Sequence, residues 1–482
     1  MTGLITSSLA LLVYGLTLAP DLTWANQSGD GPELITAAMT LGVPHPPGYP
    51  TYTLLGYLFG HLPLGTVAFR FNLFSAVGMA VAAGFTAMMV WGMDDGRWTM
   101  DGDVVSPKGQ SSVGGRLPAV AVGLSLALAP LVWSQATVAE VYGLSMALLA
   151  ATLWALWQPR PRPWLCGALL GLTVTAHLTA LLWLPLALVR IRPRHWPVLA
   201  GGLLLGLTPF LALPWLAQSG GPLVWGQPDT PAGWWWLITA RIYHANLLAH
   251  GWVYSMQQAW QLLGLLTVQF TPLGLLLVGY GGAKGWQTAV SSRDHWGWLL
   301  MAGTAAAYFI YAALYHTPDY QVFVLPALLP LAWLLYPAFQ KLTHLSFFSL
   351  LPPYLPLLLP LALLLLHYSE QNLRQETPVR PGAITMLHTL PPEAIVLTPG
   401  DQTISTLWYF QAVEGQRPDL VLVDHNLFGF DWYRERLGDD YPFLDALDQG
   451  SPADFFEANR DKRPFCHVGF TSEIEPIVRC GG

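Results

Sequence analysis

Asp30 and Glu33 stand three residues apart at the start of a stretch that reads as a helix. Pro32 suits its first turn, and Asp30 lies near its cap. Carboxylates at this spacing can face one pocket. One could take the proton of an acceptor hydroxyl as a general base, or the pair could hold a divalent cation, which they permit without requiring. On spacing alone the plainer roles fit better, with Asp30 as cap and Glu33 as partner of the helix dipole. Just downstream, Pro44-His45-Pro46-Pro47-Gly48-Tyr49-Pro50 is rigid and poor in backbone donors. It can present His45 and Tyr49 at a membrane surface, or simply bend the chain between two interfacial helices.

Other segments carry similar chemistry. Trp225-Gly226-Gln227-Pro228-Asp229-Thr230-Pro231 precedes Trp234, Trp235 and Trp236, then Arg241, Tyr243 and His244. These rings could stack on a sugar or lie in the lipid interface, and most of them fit the interfacial belt better. Asp229 is a candidate substrate contact, and the Arg241 guanidinium suits a lipid-linked phosphate bidentately. Glu140 and Tyr142 follow the turn Ser134-Gln135-Ala136-Thr137. An acid beside a membrane segment is costly, which marks Glu140, and with it His177 and Asp319, as functional candidates. Glu140 could equally cap the next helix in the interface.

The elements that must position these residues are apolar. The chain has 482 residues, 53% hydrophobic and only 11% charged, with 22 Trp and 18 Tyr. Soluble domains carry about 25% charged residues, so the composition points to a bilayer as solvent. Apolar runs fall at roughly 4–19, 67–92, 118–134, 138–157, 164–189, 197–216, 259–281, 297–314, 321–339 and 346–367. Most suit a helix crossing about 30 Å of hydrocarbon. A barrel would show ten-residue alternation instead. The first run reads as an uncleaved helix, and a net charge of -7 gives nucleic-acid binding no support.

Positive charge in short loops sets orientation. Arg160 and Arg162 precede the run at 164–189, and Arg190, Arg192 and Arg194 follow it. A single crossing cannot keep both ends on one side. A hairpin of two short helices, roughly 164–175 and 178–189, turning near His177, resolves this. One long tilted helix is the alternative. With the hairpin the count is about 10–11 spans. The basic loops, including Lys284, Arg293, Lys341, His344 and the loop at 93–116, then face the cytoplasm. The segments 20–66, 217–258 and 315–320 face outward, with Asp30, His45, Glu140, His177 and Asp319 converging on that side.

The expected division is a transmembrane domain at 1–369, including a first outer loop at 20–66, and a small C-terminal α/β domain at 370–482. In the latter, Ala394–Asp401 and Asp419–Asp424 read as strands around a helix from about Ile404 to Glu414, a βαβ pattern. Asp401 and Asp424 suit turns better than a site. No G-x-G-x-x-G or P-loop is present, so nucleotide binding has no support. Cys466 and Cys480 could pair if this part faces an oxidising compartment.

Together these segments resemble GT-C-type membrane glycosyltransferases related to protein O-mannosyltransferases. The likeness rests on Gly29-Asp30, Glu33-Leu34 and Gly42-Val43-Pro44-His45-Pro46-Pro47-Gly48-Tyr49-Pro50. Arg70-Phe71-Asn72, Ala139-Glu140-Val141-Tyr142, Gly171 through Leu178-Thr179, Trp225-Gly226-Gln227-Pro228, Asp319 through Pro326, Gly400-Asp401 and Arg417-Pro418-Asp419 support it. Members usually read Asp-Ser-Gly-Glu where this chain has Asp30-Gly31-Pro32-Glu33; the acidic spacing survives while the middle differs. The resemblance implies a polyprenyl-phosphate-linked sugar donor, a protein or glycan acceptor, an active site on the extracytoplasmic face of a cytoplasmic (inner) membrane, and inverting transfer to a hydroxyl. It favours Asp30 as the catalytic acid-base group, with Glu33 second. From charge and position, Arg241 and His45 are expected to hold the leaving phosphate.

The rival reading is a transporter or flippase of a lipid-linked sugar, which needs polar groups at mid-membrane depth. The midpoints of the apolar runs are nearly free of charge, which favours an interfacial enzyme. A non-catalytic assembly protein is the third reading, and it would tolerate loss of Asp30.

Overall fold

The computed structural model describes residues 1–94, 113–218, 221–290, 295–343, 352–448 and 450–481. Arg293, His344 and the middle of the loop at 93–116 lie outside the described residues.

Helices α1 (Thr2–Thr17), α2 (Gly31–Thr40), α3 (Pro50–Gly60), α4 (Val67–Asp94), α5 (Val113–Ala127), α6 (Pro130–Ala136) and α7 (Tyr142–Leu156) come first. Then follow α8 (Pro163–Ala176), α9 (Leu184–Arg190), α10 (Trp196–Gly206), α11 (Leu213–Leu216) and α12 (Pro231–Ile238). The helices α13 (Gly251–Val290), α14 (His295–Leu314), α15 (Leu325–Trp333), α16 (Leu335–Thr343) and α17 (Leu358–Gln371) complete the apolar part. Among the described residues five spans are long and apolar enough to cross a membrane, six if the α5–α6 pair, bent by 68°, counts as one. Four shorter apolar helices accompany them: Thr2–Thr17, Tyr142–Leu156, Pro163–Ala176 and Leu178–Arg190.

The run at 164–189 is broken where the charges require it. At His177 the backbone is extended (φ -164°, ψ 121°). The second arm then returns, so that the Arg190 Nε–H donates to the Leu156 carbonyl and its guanidinium lies over the Trp157 ring. Both ends of the hairpin therefore meet at the α7–α8 connection. Trp157 in turn packs on Trp333, and Lys341 lies over Tyr280. Basic residues collect at this end of the bundle and the candidate site at the other.

Close helix approach fixes the site end. Gly78 of α4 and Gly143 of α7 leave no room for a Cβ, since each would strike the partner's backbone. That contact lets Ser75 Oγ donate to the Glu140 carbonyl and accept from the Glu140 amide, pinning the α6–α7 connection.

The C-terminal part carries α18 (Val379–Thr389), β1 (Ile395–Thr398), α19 (Asp401–Trp408), β2 (Val421–Asp424), α20 (Asp431–Asp440), α21 (Pro452–Asn459), β3 (Phe465–Phe470) and β4 (Pro476–Gly481). The sheet order is β2-β1-β3-β4, with β1 parallel to β2 and β3, and β4 antiparallel to β3. The βαβ pattern is present, but its helix begins at Asp401 rather than near Ile404. Asp424 serves a turn, accepting from the Asn426 and Leu427 amides and from Thr398 Oγ1. Cys466 and Cys480 face each other across β3 and β4 and form a disulfide.

This sheet shares one apolar core with the first loop, the hairpin apex and the 223–237 segment. Polar ties reinforce it: Arg380 joins Asp21 of the first loop to Glu414, and Arg436 donates to the Gly221 carbonyl.

Candidate active site

Local backbone demands build the site. Asp30 occupies the N-cap of α2, yet its side chain makes no capping hydrogen bond, so the carboxylate is left for other work. Helix α2 ends at Leu41 in left-handed geometry. Gly42 follows, pressed so close to the Leu223 carbonyl that a Cβ there would collide with it. The Val43 amide donates to the Leu223 carbonyl at 2.9 Å and Val43 accepts from the Trp225 amide at 3.1 Å, locking the two loops together. Gly42→Val should break this bridge. Overpacking of this kind costs typically about 1–3 kcal/mol, so a lowered unfolding midpoint in a thermal melt is expected, together with weakened activity.

Next the proline segment turns. Gly48 sits at φ +84° with Leu213 and Leu237 where a Cβ would stand, and Tyr49 begins α3 from a left-handed conformation. The turn returns His45 to Glu33. One Glu33 oxygen accepts from the His45 amide at 2.8 Å, and the other lies 3.0 Å from Nδ1. On the far side of the ring, Nε2 lies 3.8 Å from an Asp30 oxygen. The Glu33 side chain is 7% exposed and that of His45 11%, whereas that of Asp30 is 49% exposed and opens to the site.

The electrostatics follow. Burial alone would discharge the His45 imidazolium, but Glu33 and then Asp30 outweigh it and carry the ring up to about 10. At Asp30, surrounding protein mass raises the carboxyl, the His45 charge pulls it back, and Glu33, Asp319 and Asp401 push it up again, leaving it at about 6. The site is thus poised with Asp30 near its midpoint just below neutrality.

Rings line the space around this triad. His45 meets Tyr49 edge-on at 5.2 Å, and Trp225 and Tyr243 at 6.3 and 6.4 Å. His177, whose Nδ1 lies 2.8 Å from Thr179 Oγ1, packs near Tyr142 at 5.6 Å, Phe323 at 5.9 Å and Tyr49 at 6.5 Å. Glu140 and Asp319 face the same space, close enough to act electrostatically on Tyr49 and Tyr142. Asp30, Glu33, His45, Tyr49, Glu140, Tyr142, His177 and Asp319 are therefore brought together.

Two candidates are not. Asp229 is exposed on the turn before α12 and joins none of these contacts. Arg241 is exposed at the start of the 241–246 turn, without an ion pair among the described residues, two positions before the inward-facing Tyr243. Residues that spacing did not single out are Trp225, Tyr243 and Phe323, with Asp401 reaching the site from the sheet. Trp225, Phe323 and Asp401 lie within segments that carry the family resemblance, whereas Tyr243 has as advance signal its place in the aromatic stretch beside Arg241.

Ligand atoms of Asp30, Glu33 and His45 lie within 4.8 Å of one another, so the trio could hold one metal ion. The hydrogen bonds between His45 and Glu33 already pair two of the three side chains. As a proton acceptor beside a cationic ring, the arrangement can deprotonate a bound hydroxyl.

The chain matches two family models, the protein O-mannosyl-transferase TMEM260 N-terminal domain over residues 30–198 and the TMEM260-associated domain 2 over residues 379–451. It is 26% identical over 513 residues to the mouse (Mus musculus) protein O-mannosyl-transferase TMEM260, covering 95% of this chain and 69% of that protein. The Dictyostelium discoideum protein O-mannosyl-transferase tmem260 is 29% identical over 155 residues, covering 31% of this chain and 16% of that protein. In fold, the chain is similar to ArnT from Cupriavidus metallidurans bound to undecaprenyl phosphate, with a TM-score of 0.56 at 14% identity over 99% of this chain and 97% of ArnT. The apo form of the same enzyme gives 0.53 at 15% identity. The first matched stretch begins at Asp30 and takes in Glu33, His45, Glu140 and His177. The chain is an integral membrane glycosyltransferase with the GT-C-type fold of ArnT, similar in sequence to the protein O-mannosyl-transferases TMEM260.

Proposed function

We propose that this enzyme transfers mannose from a polyprenyl-phosphate donor to a serine or threonine hydroxyl of a polypeptide, with inversion at the anomeric carbon and Asp30 as base. The observation that carries the reading is the Asp30 carboxylate itself. It is uncapped, open to the site and set beside a cationic His45 that Glu33 holds from behind. The relatives' activity supplies the sugar and the acceptor class, and ArnT's polyprenyl phosphate the donor class.

In the step, the acceptor oxygen attacks the sugar C1 while its proton passes to the Asp30 carboxylate. The C1–O bond to phosphate breaks, and polyprenyl phosphate leaves with both electrons. His45 supplies positive charge beside the reacting groups. Arg241, exposed and without an ion pair among the described residues, is assigned to the phosphate from its charge and its closeness in sequence to Tyr243. Tyr49, Glu140, Tyr142, His177 and Asp319 bind the sugar. Asp229 has no part, since it lies outside the cluster.

Two features support a site on the extracytoplasmic face of an inner membrane. Basic residues gather at the opposite end of the bundle, in keeping with the positive-inside rule, and the Cys466–Cys480 disulfide suits an oxidising compartment. Residues 1–369 then form the transmembrane part, and 370–482 an outward α/β domain.

The test of donor class is a comparison of polyprenyl-phosphate mannose with a nucleotide-linked mannose, using purified enzyme and a threonine peptide. Turnover of the lipid donor alone is expected; use of the nucleotide sugar alone would overturn the reading. Arg241→Ala should raise the KM for the lipid donor roughly tenfold with a smaller change in kcat, as loss of a charge-assisted phosphate contact implies. A pH profile gives a further check. A base is active only when ionised, so kcat/KM should climb tenfold per pH unit below about 6, where Asp30 is protonated. It should then hold a plateau and fall near 10 as His45 loses its charge.

A further inference from the structure

The enzyme has a second concavity beside the triad, a cavity of about 1010 Å³ between the first loop and the sheet. Trp24 of the first loop, Asp401 and Gln402 of α19, and His467, Phe470 and Arg479 of the β3–β4 hairpin line it. It adjoins the carboxylates: the Gln402 side chain packs against Gly29, the neighbour of Asp30, and the Asp401 charge is felt at Asp30 and Glu33.

From this position and lining we infer that the cavity is the acceptor cleft and that its occupant is an extended polypeptide segment, recognised partly through its backbone. The proposal deepens the functional reading above and rests on it.

Three observations favour a polypeptide. The cleft is walled on one side by a sheet whose β3 strand outruns its neighbour. Pairing of β1 with β3 stops at Leu397–His467, whereas β3 continues to Phe470, still paired to β4. Beyond Leu397 no described strand covers that side of β3. An extended segment can use such an edge, which gives backbone recognition tolerant of sequence. Trp24 and Phe470, edge-on at 5.1 Å, offer an apolar seat for one side chain. Charge is graded along the wall, with Asp401 toward Asp30 and Arg479, paired with His467 in register, on the hairpin. Arg479 is exposed and has no ion pair among the described residues. It would select an acidic residue on one flank of the modified hydroxyl.

The test uses two fluorescein-labelled nine-residue peptides, each with a central threonine, one flanked by glutamates and one by lysines. Ser472, exposed on the cleft wall, is outside the catalytic machinery. Ser472→Trp should raise the peptide KM at least tenfold, with donor KM and kcat unchanged. Arg479→Glu should reverse the preference from the glutamate to the lysine peptide. Independently of turnover, a photoreactive benzoylphenylalanine at position 472 should cross-link the labelled peptide, and unlabelled peptide should compete. Transfer without cross-linking, and with Ser472→Trp unchanged in KM, would overturn the cleft but leave the glycosyltransferase reading intact. Cross-linking with no transfer from any lipid donor would support the cleft and overturn that reading. Competition by a lipid-linked oligosaccharide but not by peptide would overturn the polypeptide assignment.

Discussion

Asp30→Asn should abolish nearly all sugar transfer while leaving the donor bound. The substitution keeps size and shape but replaces one carboxylate oxygen with an amide donor and removes the proton acceptor. General base catalysis contributes typically about 10²–10⁴-fold, so a loss of about a thousandfold in kcat is expected. Folding should be unaffected, because the Asp30 side chain caps nothing and is 49% exposed. A matched thermal melt of the purified proteins checks this. The acidic limb of the pH profile should vanish with the carboxylate. Residual turnover within threefold of the native enzyme would mean that the hydroxyl needs no base from Asp30.

The second large effect is structural and concerns Glu33 with His45. Removing one partner of a buried, hydrogen-bonded charge pair costs about 3–5 kcal/mol, because the other charge is left alone. His45→Ala strands the Glu33 carboxylate, which keeps only the backbone amide of residue 45 as donor. Glu33→Ala strands the ring beside Asp30 alone. Each single variant should therefore melt well below the native enzyme. The double variant should lose clearly less than the sum of the two, a coupling that a double-mutant cycle measures directly. Additive losses would show that the pair is not a unit. Activity should fall in all three, since His45 also faces Asp30.

These expectations depend on features that differ in how far the chain announces them. Apolar runs and the small number of charges marked the bundle. Arginines on both sides of 164–189 marked the hairpin, because charge at loop ends is a one-dimensional signal. Arg190 over Trp157 is its three-dimensional counterpart. The acid spacing at Asp30 and Glu33 also showed in the sequence, but it favoured a cap. Only folding shows that the Asp30 side chain caps nothing and that His45, twelve positions from Glu33, inserts between the two carboxylates.

Long-range closure explains the misses. Tyr243 and Trp225 reach His45 because Val43 bridges to Val224, a pairing with no local trace. Asp229 looked equivalent to its neighbours, yet the same turn leaves it in solvent. Strands β3 and β4 left no clear signal because β4 (Pro476–Gly481) is short and largely exposed and β3 is interrupted by His467 and Gly469, without the continuous apolar character of β1 and β2. Asp401 read as a turn residue. It opens α19, and the shared core carries that helix to the site.

The most direct test of the central claim is product analysis. Purified native enzyme and the Asp30→Asn variant would each be given β-linked polyprenyl-phosphate mannose and the glutamate-flanked threonine peptide, and the glycopeptide examined by mass spectrometry and NMR. One α-linked mannose on the threonine oxygen is expected with the native enzyme and essentially none with the variant. A β-linked product, or equal yields from both proteins, would contradict that claim.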